Sequence, residues 1–477
     1  MTFAEAVGVS AARAGSVAVV SVLLAGSLQP VLRRSPLLVL WPLLVPSLVL
    51  GFAYRNLSLS LLHHPVWNEV LYSSLLLIQG VPLAALVLHS LPAPSLSGSG
   101  RHLLLLLRAG ETGRGRARLA SPWTMWLHGP GPHRVIAASI VFLIAFQEAE
   151  VAALMRAPGW PEWLFMQQSG GSFLPDAWPY VRWPALLAGG VVLVPLACQL
   201  ALRSHPGGAS EPTAADRVAA RAPRIVLRVW LLASAGLAIF WPALVIGPDA
   251  VRGVGVVLGQ PRFLGEIGDA LMIGVISGLA AIGLTGALMR FARRGVPGRA
   301  LLLAALIPGL LGGLVWGLMV KEGVDRWWPQ IAETPVPLVL AVTFSLIPRA
   351  ILILLLLEDY GDTAASHLGR LLARHFRQDV KRSSDDLGWR MTGQRWFWGT
   401  ALLCLQGYLE LSITFLLRPP NVSPAPVRLY NFLHYGRVPG LAAMLVLCLI
   451  APIFVANAVL MLRRAILRIR SSQSAGV

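Results

Sequence analysis

The sequence predicts an all-α integral membrane protein of about 11 transmembrane helices, arranged as two parallel pseudo-repeats. Three observations predict it. The chain has a mean hydropathy of +0.66 with only 13% charged residues among 477, whereas soluble domains carry about a quarter. Apolar runs of about twenty residues recur along it, the length a helix needs to cross hydrocarbon while satisfying its own backbone. Its short motifs come twice, at a nearly constant shift.

Taken in order, the expected spans lie near 12–29, 36–54, 71–92, 134–155 and 183–202 in a first half at 1–203. A linker at 204–225 follows, and spans near 226–246, 270–289, 300–320, 336–357, 397–417 and 440–462 make a second half at 226–477. The apolar start is read as a span because it has neither a basic n-region nor a small-residue cleavage site. Pro46, Pro82, Pro308 and Pro348 sit inside spans and mark expected kinks. Cys198, Cys404 and Cys448 all fall within spans, where a thiol is a small apolar side chain, and no zinc or disulfide spacing is present.

The formal charge of +18 would fit a nucleic-acid binder only as a basic face on a soluble fold. Here the charge alternates between loops. Arg33 and Arg34, Arg101 to Arg134, Arg203 to Arg228, Arg290 to Arg299, Arg370 to Arg395 and Arg463 to Arg470 fall on one side. The alternate loops hold about one to three basic residues each. By the positive-inside rule the N-terminus is outside and the C-terminus cytoplasmic.

The repeat is carried by three matches. "LLVPSLVLGF" around Pro46 pairs with "ALIPGLLGGL" around Pro308, aligning Gly51 with Gly313. "GVPLAALVL" around Pro82 pairs with "LIPRAILIL" around Pro348. "FQEAEVAALMRAP", with Gln147 and Glu150, pairs with "LQGYLELSITFLLRPP", with Gln406 and Glu410. Each half also places a long basic loop, 93–133 or 358–396, at the same point. Such a parallel duplication is a standard transporter plan, with the path between the halves.

In the second long loop, Leu368, Leu371, Leu372, Phe376 and Val380 fall at helical spacing with Arg370, Arg374, Arg377 and Lys381 on another face, a basic amphipathic helix. Ser383 or Ser384 is placed to cap a second helix, with Asp386 facing Arg390 at i+4 and Trp396 and Trp398 marking the return to the bilayer. The first-half loop, "GRARLASPWTMWLHGPGPHRV", is also basic. As positive anchors or as docking elbows, the two loops are equivalent.

With these loops in place, "VFLIAFQEAEVAALM" and above all "LLRPPNVSPAPVRLYNFLHYGRVPGLAAMLV" resemble type I ABC importer permeases. The nearest likeness is to the fused two-half form associated with ferric iron, thiamine or polyamine uptake. The resemblance covers most of residues 36–460. It implies the type I ABC permease core (MetI-like) in both halves and a multi-pass protein of the bacterial cytoplasmic (inner) membrane. It further implies a partner ABC ATPase, an extracytoplasmic solute-binding protein and contact with membrane lipid, with no nucleic acid.

By the same resemblance, the ATPase-coupling loops are the segments around Ala117, Ser121, Pro122 and Trp123, and around Asp385, Asp386, Gly388 and Arg390. Neither keeps the family's acidic-Ala-Ala triplet or closing Leu-Pro, so position carries this assignment. The chain itself is read as a permease without enzymatic activity or bound cofactor. A phosphate-binding loop needs Gly-Lys-Ser/Thr, and the two lysines are Lys321, before Glu322, and Lys381, before Arg382. ATP is then used by the partner.

Ionisable groups inside spans are costly and are candidates for the translocation path. Glu148, Glu150, Arg349 and Glu410 are such groups, and Gln147 and Gln406 lie beside the carboxylates as polar candidates. Carboxylates at an outer vestibule would attract a cationic solute. Alternatively they are structural, with Arg349 neutralising Glu410 or Glu150. His63 and His64 are adjacent and share no helix face, so no metal site is expected there.

Two other classes compete. A major-facilitator carrier also has parallel six-span halves, but the loop at 55–70 lacks that family's Gly and Asp-Arg pattern. A polytopic transferase would need acidic residues gathered in an outer loop, whereas Asp176, Asp249, Glu266 and Asp325 are scattered singly.

Overall fold

The computed structural model describes residues 2–91, 126, 131–169, 180–191, 222–359, 388–434 and 438–473, and every regular element among them is helical. Six helices are long and apolar enough to cross a membrane, or up to eight if each of two bent pairs counts as one span. The chain splits into two units, Met1–Ala243 with Leu310–Val315, and Leu244–Gly309 with Trp316–Val477.

The first unit begins with α1 (Phe3–Arg34). Thr2 and Glu5 close a capping box, Glu5 N donating to Thr2 Oγ1 at 3.3 Å and Thr2 N to Glu5 Oε2 at 2.7 Å, which satisfies amide donors that the first turn leaves unpaired. Ala14, Val17, Ala18, Ser21, Val22, Ala25, Leu28 and Leu32 are buried along one stripe at helical spacing. Leu23 on the other side is 62% exposed. A helix apolar all round, buried on one face and bare on the other, suits hydrocarbon.

Next come α2 (Pro36–Leu40) and, past a short 3-10 turn, α3 (Ser47–Ser60), the pair bent by 69°. Then follow α4 (Pro65–Ser90), α5 (Gly131–Phe146), α6 (Glu150–Met155), α7 (Trp160–Ser169) and α8 at 180–191. Helix α1 packs on α4 and α5, which pack on each other, and α3 packs on α6. Close approach uses small residues: a Cβ on Gly80 would lie 2.6 Å from Ser21 Oγ. Without water to drive association, such van der Waals fit is what holds membrane helices together.

α9 (Ala222–Ala235) runs through a π-helical turn, Gly236–Phe240, into α10 (Trp241–Leu258). The wide turn disturbs the regular ladder, and Tyr54 Oη donates to Leu237 O at 3.0 Å. Tyr54 also stacks on Trp241, whose indole N–H donates to Ala53 O at 3.1 Å.

The second unit is built on α11 (Pro261–Ala292). It continues with the bent pair α12 (Val296–Leu311) and α13 (Gly313–Trp327), a short α14 (Pro329–Ala332) and α15 (Val336–Asp359). After a π-helical turn at Trp389–Gly393 come α16 (Gln394–Tyr408), α17 (Ser412–Leu417), α18 (Ala425–His434) and α19 (Val438–Gln473). α11 packs on α15 and α16, which pack on each other. Gly274 and Gly278 let α11 lie directly on α16, since Cβ atoms there would fall 2.6 Å from Tyr408 N and 2.7 Å from Cys404 Sγ.

The element order recurs. The long first helices have 32 residues each, α1 and α11, and each precedes a bent pair, of 69° and 109°. Then α4 and α15 have 26 and 24 residues, α5 and α16 have 16 and 15, α6 and α17 have 6 each, and α7 and α18 have 10 each. The packing repeats with it. Gly51, fifth residue of α3, would place a Cβ 2.5 Å from Leu154 Cδ1, and Leu154 is the fifth residue of α6. Gly317, fifth residue of α13, would place one 2.9 Å from Leu416 Cδ1, the fifth residue of α17. The structural counterpart of Gly51 is thus Gly317, where the sequence alignment paired it with Gly313.

Four of the expected spans are broken, and the one near 183–202 is described only as far as residue 191. Breaks fall at Val45–Pro46, at 147–149, at Gly312 and at 409–411. Of the four prolines only Pro46 stands at a break, as the N-cap of α3. Pro82, Pro308 and Pro348 lie within continuous helices. The bend between α12 and α13 instead occurs at Gly312, whose φ of +88° is open to glycine.

Candidate functional site

A helix interrupted in a low-dielectric setting leaves amide N–H and carbonyl groups that must find partners. At the break between α5 and α6, Glu148 supplies them. Its carboxylate accepts from Val151 N at 2.7 Å and Ala152 N at 3.1 Å, and from Tyr72 Oη at 2.9 Å. The Trp160 indole N–H donates to Phe146 O at 2.8 Å, closing the other end of the break.

The second unit solves the same problem with the same residue type. Glu410 Oε1 accepts from Ile413 N at 3.4 Å, and its backbone oxygen accepts from Thr414 Oγ1. Glu148 and Glu410 each stand two residues ahead of a six-residue helix. Glu148 is therefore the counterpart of Glu410, in place of the Glu150 that the motif alignment selected. Glu150 is the first residue of α6 and is half-buried.

Behind the first break lies a buried arginine. The Arg13 side chain is 4% exposed and pairs with Glu69 through two nitrogens, Nη2 lying 2.7 Å from Oε2. It also donates to Pro158 O at 2.8 Å, and its guanidinium lies 4.6 Å from the Tyr72 ring centroid. A continuous polar chain thus runs from Glu69 through Arg13 and Tyr72 to Glu148 and the start of α6. In the second unit, Arg428 of α18 forks onto the buried Glu266 of α11, Nε donating to Oε1 and Oε2 at 3.1 and 3.0 Å, while Arg262 lies 3.4 Å away on the same carboxylate. The charges are inverted: the long helix supplies the arginine in one unit and the glutamate in the other.

Glutamines serve the two bent pairs. Gln79 Nε2 donates to Val45 O at 3.4 Å and Ser47 Oγ at 3.2 Å, bridging the Val45–Pro46 break. Gln147 Nε2 donates to Leu310 O, and a Cβ on Gly312 would meet Gln147 Oε1 at 2.7 Å. Both arrangements lie in the first unit.

Gln147, Glu148 and Glu150 thus cluster at one break, and Glu410 at the equivalent one with Gln406 half-buried on α16 beside it. Arg349 is half-buried on α15 and forms no ion pair with Glu410 among the described residues. Gly388 and Arg390 are exposed at the turn leading into α16. Ala117, Ser121, Pro122, Trp123, Asp385 and Asp386 lie outside the described residues, as do the amphipathic helix at 367–380 and nearly all of the linker.

Sequence reasoning missed Arg13, Glu69, Tyr72 and Arg428, and set Glu266 aside as isolated. The one available signal was a lone charge near the end of an apolar run, which is costly without a partner. No group of three or more His, Cys, Asp or Glu that could hold a metal occurs among the described residues. No family model, curated protein or solved structure matches the chain.

Proposed function

We propose that this chain is the transmembrane permease subunit of a binding-protein-dependent ABC importer, coupled to ATP hydrolysis by a separate ATPase. One observation carries the reading: the same order of helices occurs twice, and in each occurrence a long basic segment directly precedes a helix that is broken and capped by a glutamate. The segments 92–130 and 360–387 are where the resemblance assigns the ATPase-coupling loops. A motor acting on such a segment would pull on α5 or α16, and the break beyond would let the short helix α6 or α17 move separately. The resemblance further supports a bacterial inner-membrane location and a cationic solute such as ferric iron, thiamine or a polyamine.

Affinity purification of the tagged full chain from the cells that encode it, with the co-purifying proteins identified by mass spectrometry, tests this. The ATPase is expected to co-purify, and replacement of 117–123 by a Gly-Ser linker to release it. Solute uptake by the chain alone, driven by a proton gradient, would overturn the proposal. That outcome would favour a secondary carrier, a reading to which the 69° and 109° bends lend weight, since broken helices hold substrate in many such carriers.

A further inference from the structure

From Pro439 to Leu462, α19 carries no charged residue, a length of about 36 Å at 1.5 Å per residue, enough to span a hydrocarbon core of about 30 Å. Only 11% of its most apolar window is buried. Ile450, Ile453, Phe454 and Met461 are 52%, 61%, 73% and 68% exposed. With Asn457 they recur at i+3 and i+4, so they share one face, and Arg464 continues that face. Two adjacent arginines, Arg463 and Arg464, therefore close an uncovered apolar stripe at the depth where hydrocarbon gives way to headgroups.

Neither arginine pairs with an acidic side chain among the described residues. Arg463 is fixed in another way, its guanidinium lying 3.7 Å from the Trp389 ring centroid. Trp389 belongs to the π-helical turn before α16, and it is held there by Phe397 at 6.2 Å and by Gly393, where a Cβ would lie 2.6 Å from Trp389 Cε3. Stacking uses the flat face of a guanidinium and leaves the N–H groups on its rim to donate in plane, the geometry that suits phosphate oxygens.

We propose that Arg463 and Arg464, with Trp389 behind Arg463, form a binding site for the headgroup phosphate of an anionic phospholipid whose acyl chains lie along the exposed stripe of α19. Two adjacent positive charges, unpaired among the described residues, favour an anionic headgroup and oppose a choline, and the largely apolar stripe fits acyl chains better than a polar partner. The proposal does not depend on the transport reading.

Lipid retained by the purified full chain tests it, with phosphatidylglycerol and phosphatidylcholine offered together and the bound species counted by native mass spectrometry. Wild type is expected to retain phosphatidylglycerol in preference. Arg463→Gln and Arg464→Gln should each lower that preference by about fivefold, the contribution of one interfacial arginine. Trp389→Phe should keep it, and Trp389→Leu should weaken it without removing any charge. Arg293→Gln with Arg294→Gln removes twice the charge of either single arginine variant, elsewhere, and should leave it intact. Equal retention of both lipids by wild type would overturn the proposal. So would an equal loss in the control pair, or displacement of the lipid by inorganic phosphate at matched concentration.

Discussion

At the residue scale, single polar side chains decide whether the breaks are tolerable. Glu148 serves two backbone amides and the Tyr72 hydroxyl, so Glu148→Ala strands three donors and should cost about 2 kcal/mol. The weaker cap at Glu410, with its 3.4 Å bond, should cost about half of that on the same substitution. Thermal unfolding of the two variants in detergent checks the order. Arg13→Ala should cost about 3 kcal/mol, at the low end for a broken buried pair because Glu69 keeps 35% of its side-chain exposure. Replacing both partners, Arg13→Met with Glu69→Leu, should recover much of it.

Glu162 adds a pH dependence. It lies in α7, outside the candidate spans, and burial pushes its carboxyl up to about 7, against the pull of Arg13 and Arg156. The folded chain then binds more protons than the unfolded chain between an ordinary carboxyl value and 7. Its contribution is complete below about 4.5 and is lost as pH rises through about 7. Melting temperatures measured across that window should fall with rising pH, and Glu162→Gln should flatten the trend. An unchanged slope in the variant would remove Glu162 as its source.

At the scale of elements, helix approach is set by glycines that face either backbone or side chain. On α11, Gly274 faces the backbone of Tyr408 at 2.6 Å, which cannot move aside, so Gly274→Ala should cost about 1–3 kcal/mol. On α3, Gly51 faces a Leu154 methyl at 2.5 Å and its Cβ at 3.0 Å; the methyl can turn aside and only a small shift is needed at the Cβ, so Gly51→Ala should cost less, about 1 kcal/mol. Comparable losses in the two variants would contradict this packing.

The long helices were legible because apolar length is a one-dimensional property, readable in any window of about twenty residues. The breaks were not. Pro82, Pro308 and Pro348 lie inside continuous helices, a placement that membrane helices tolerate, while the 109° bend turns on Gly312 and on Gln147, far away in sequence. Arg13 and Glu69 are 56 residues apart, and nothing local marks them as partners. The repeat was visible in three motifs, but its register slipped by four residues at Gly313 and by two at Glu150. Similar glycines and carboxylates stand close together there, and only packing against Leu154 and Leu416 separates the glycines, as only the capping bonds separate the carboxylates.

At the scale of the whole molecule, the chain reads as one helical plan written twice, with matched helix lengths, matched capped breaks and matched glycine contacts, but opposite placement of the buried arginine and glutamate. Such inversion leaves the units chemically distinct. If both copies face the same way in the membrane, the segments ahead of α5 and α16 emerge on one side, as the transport reading requires. Single cysteines placed at Ser121 and at Ser384, in a chain whose Cys198, Cys404 and Cys448 are replaced, measure this directly with a membrane-impermeant thiol reagent. Both are expected to react only from the cytoplasmic face, with a cysteine at His63 reacting only from the opposite one. Labelling of the Ser121 and Ser384 positions from different faces would contradict the account.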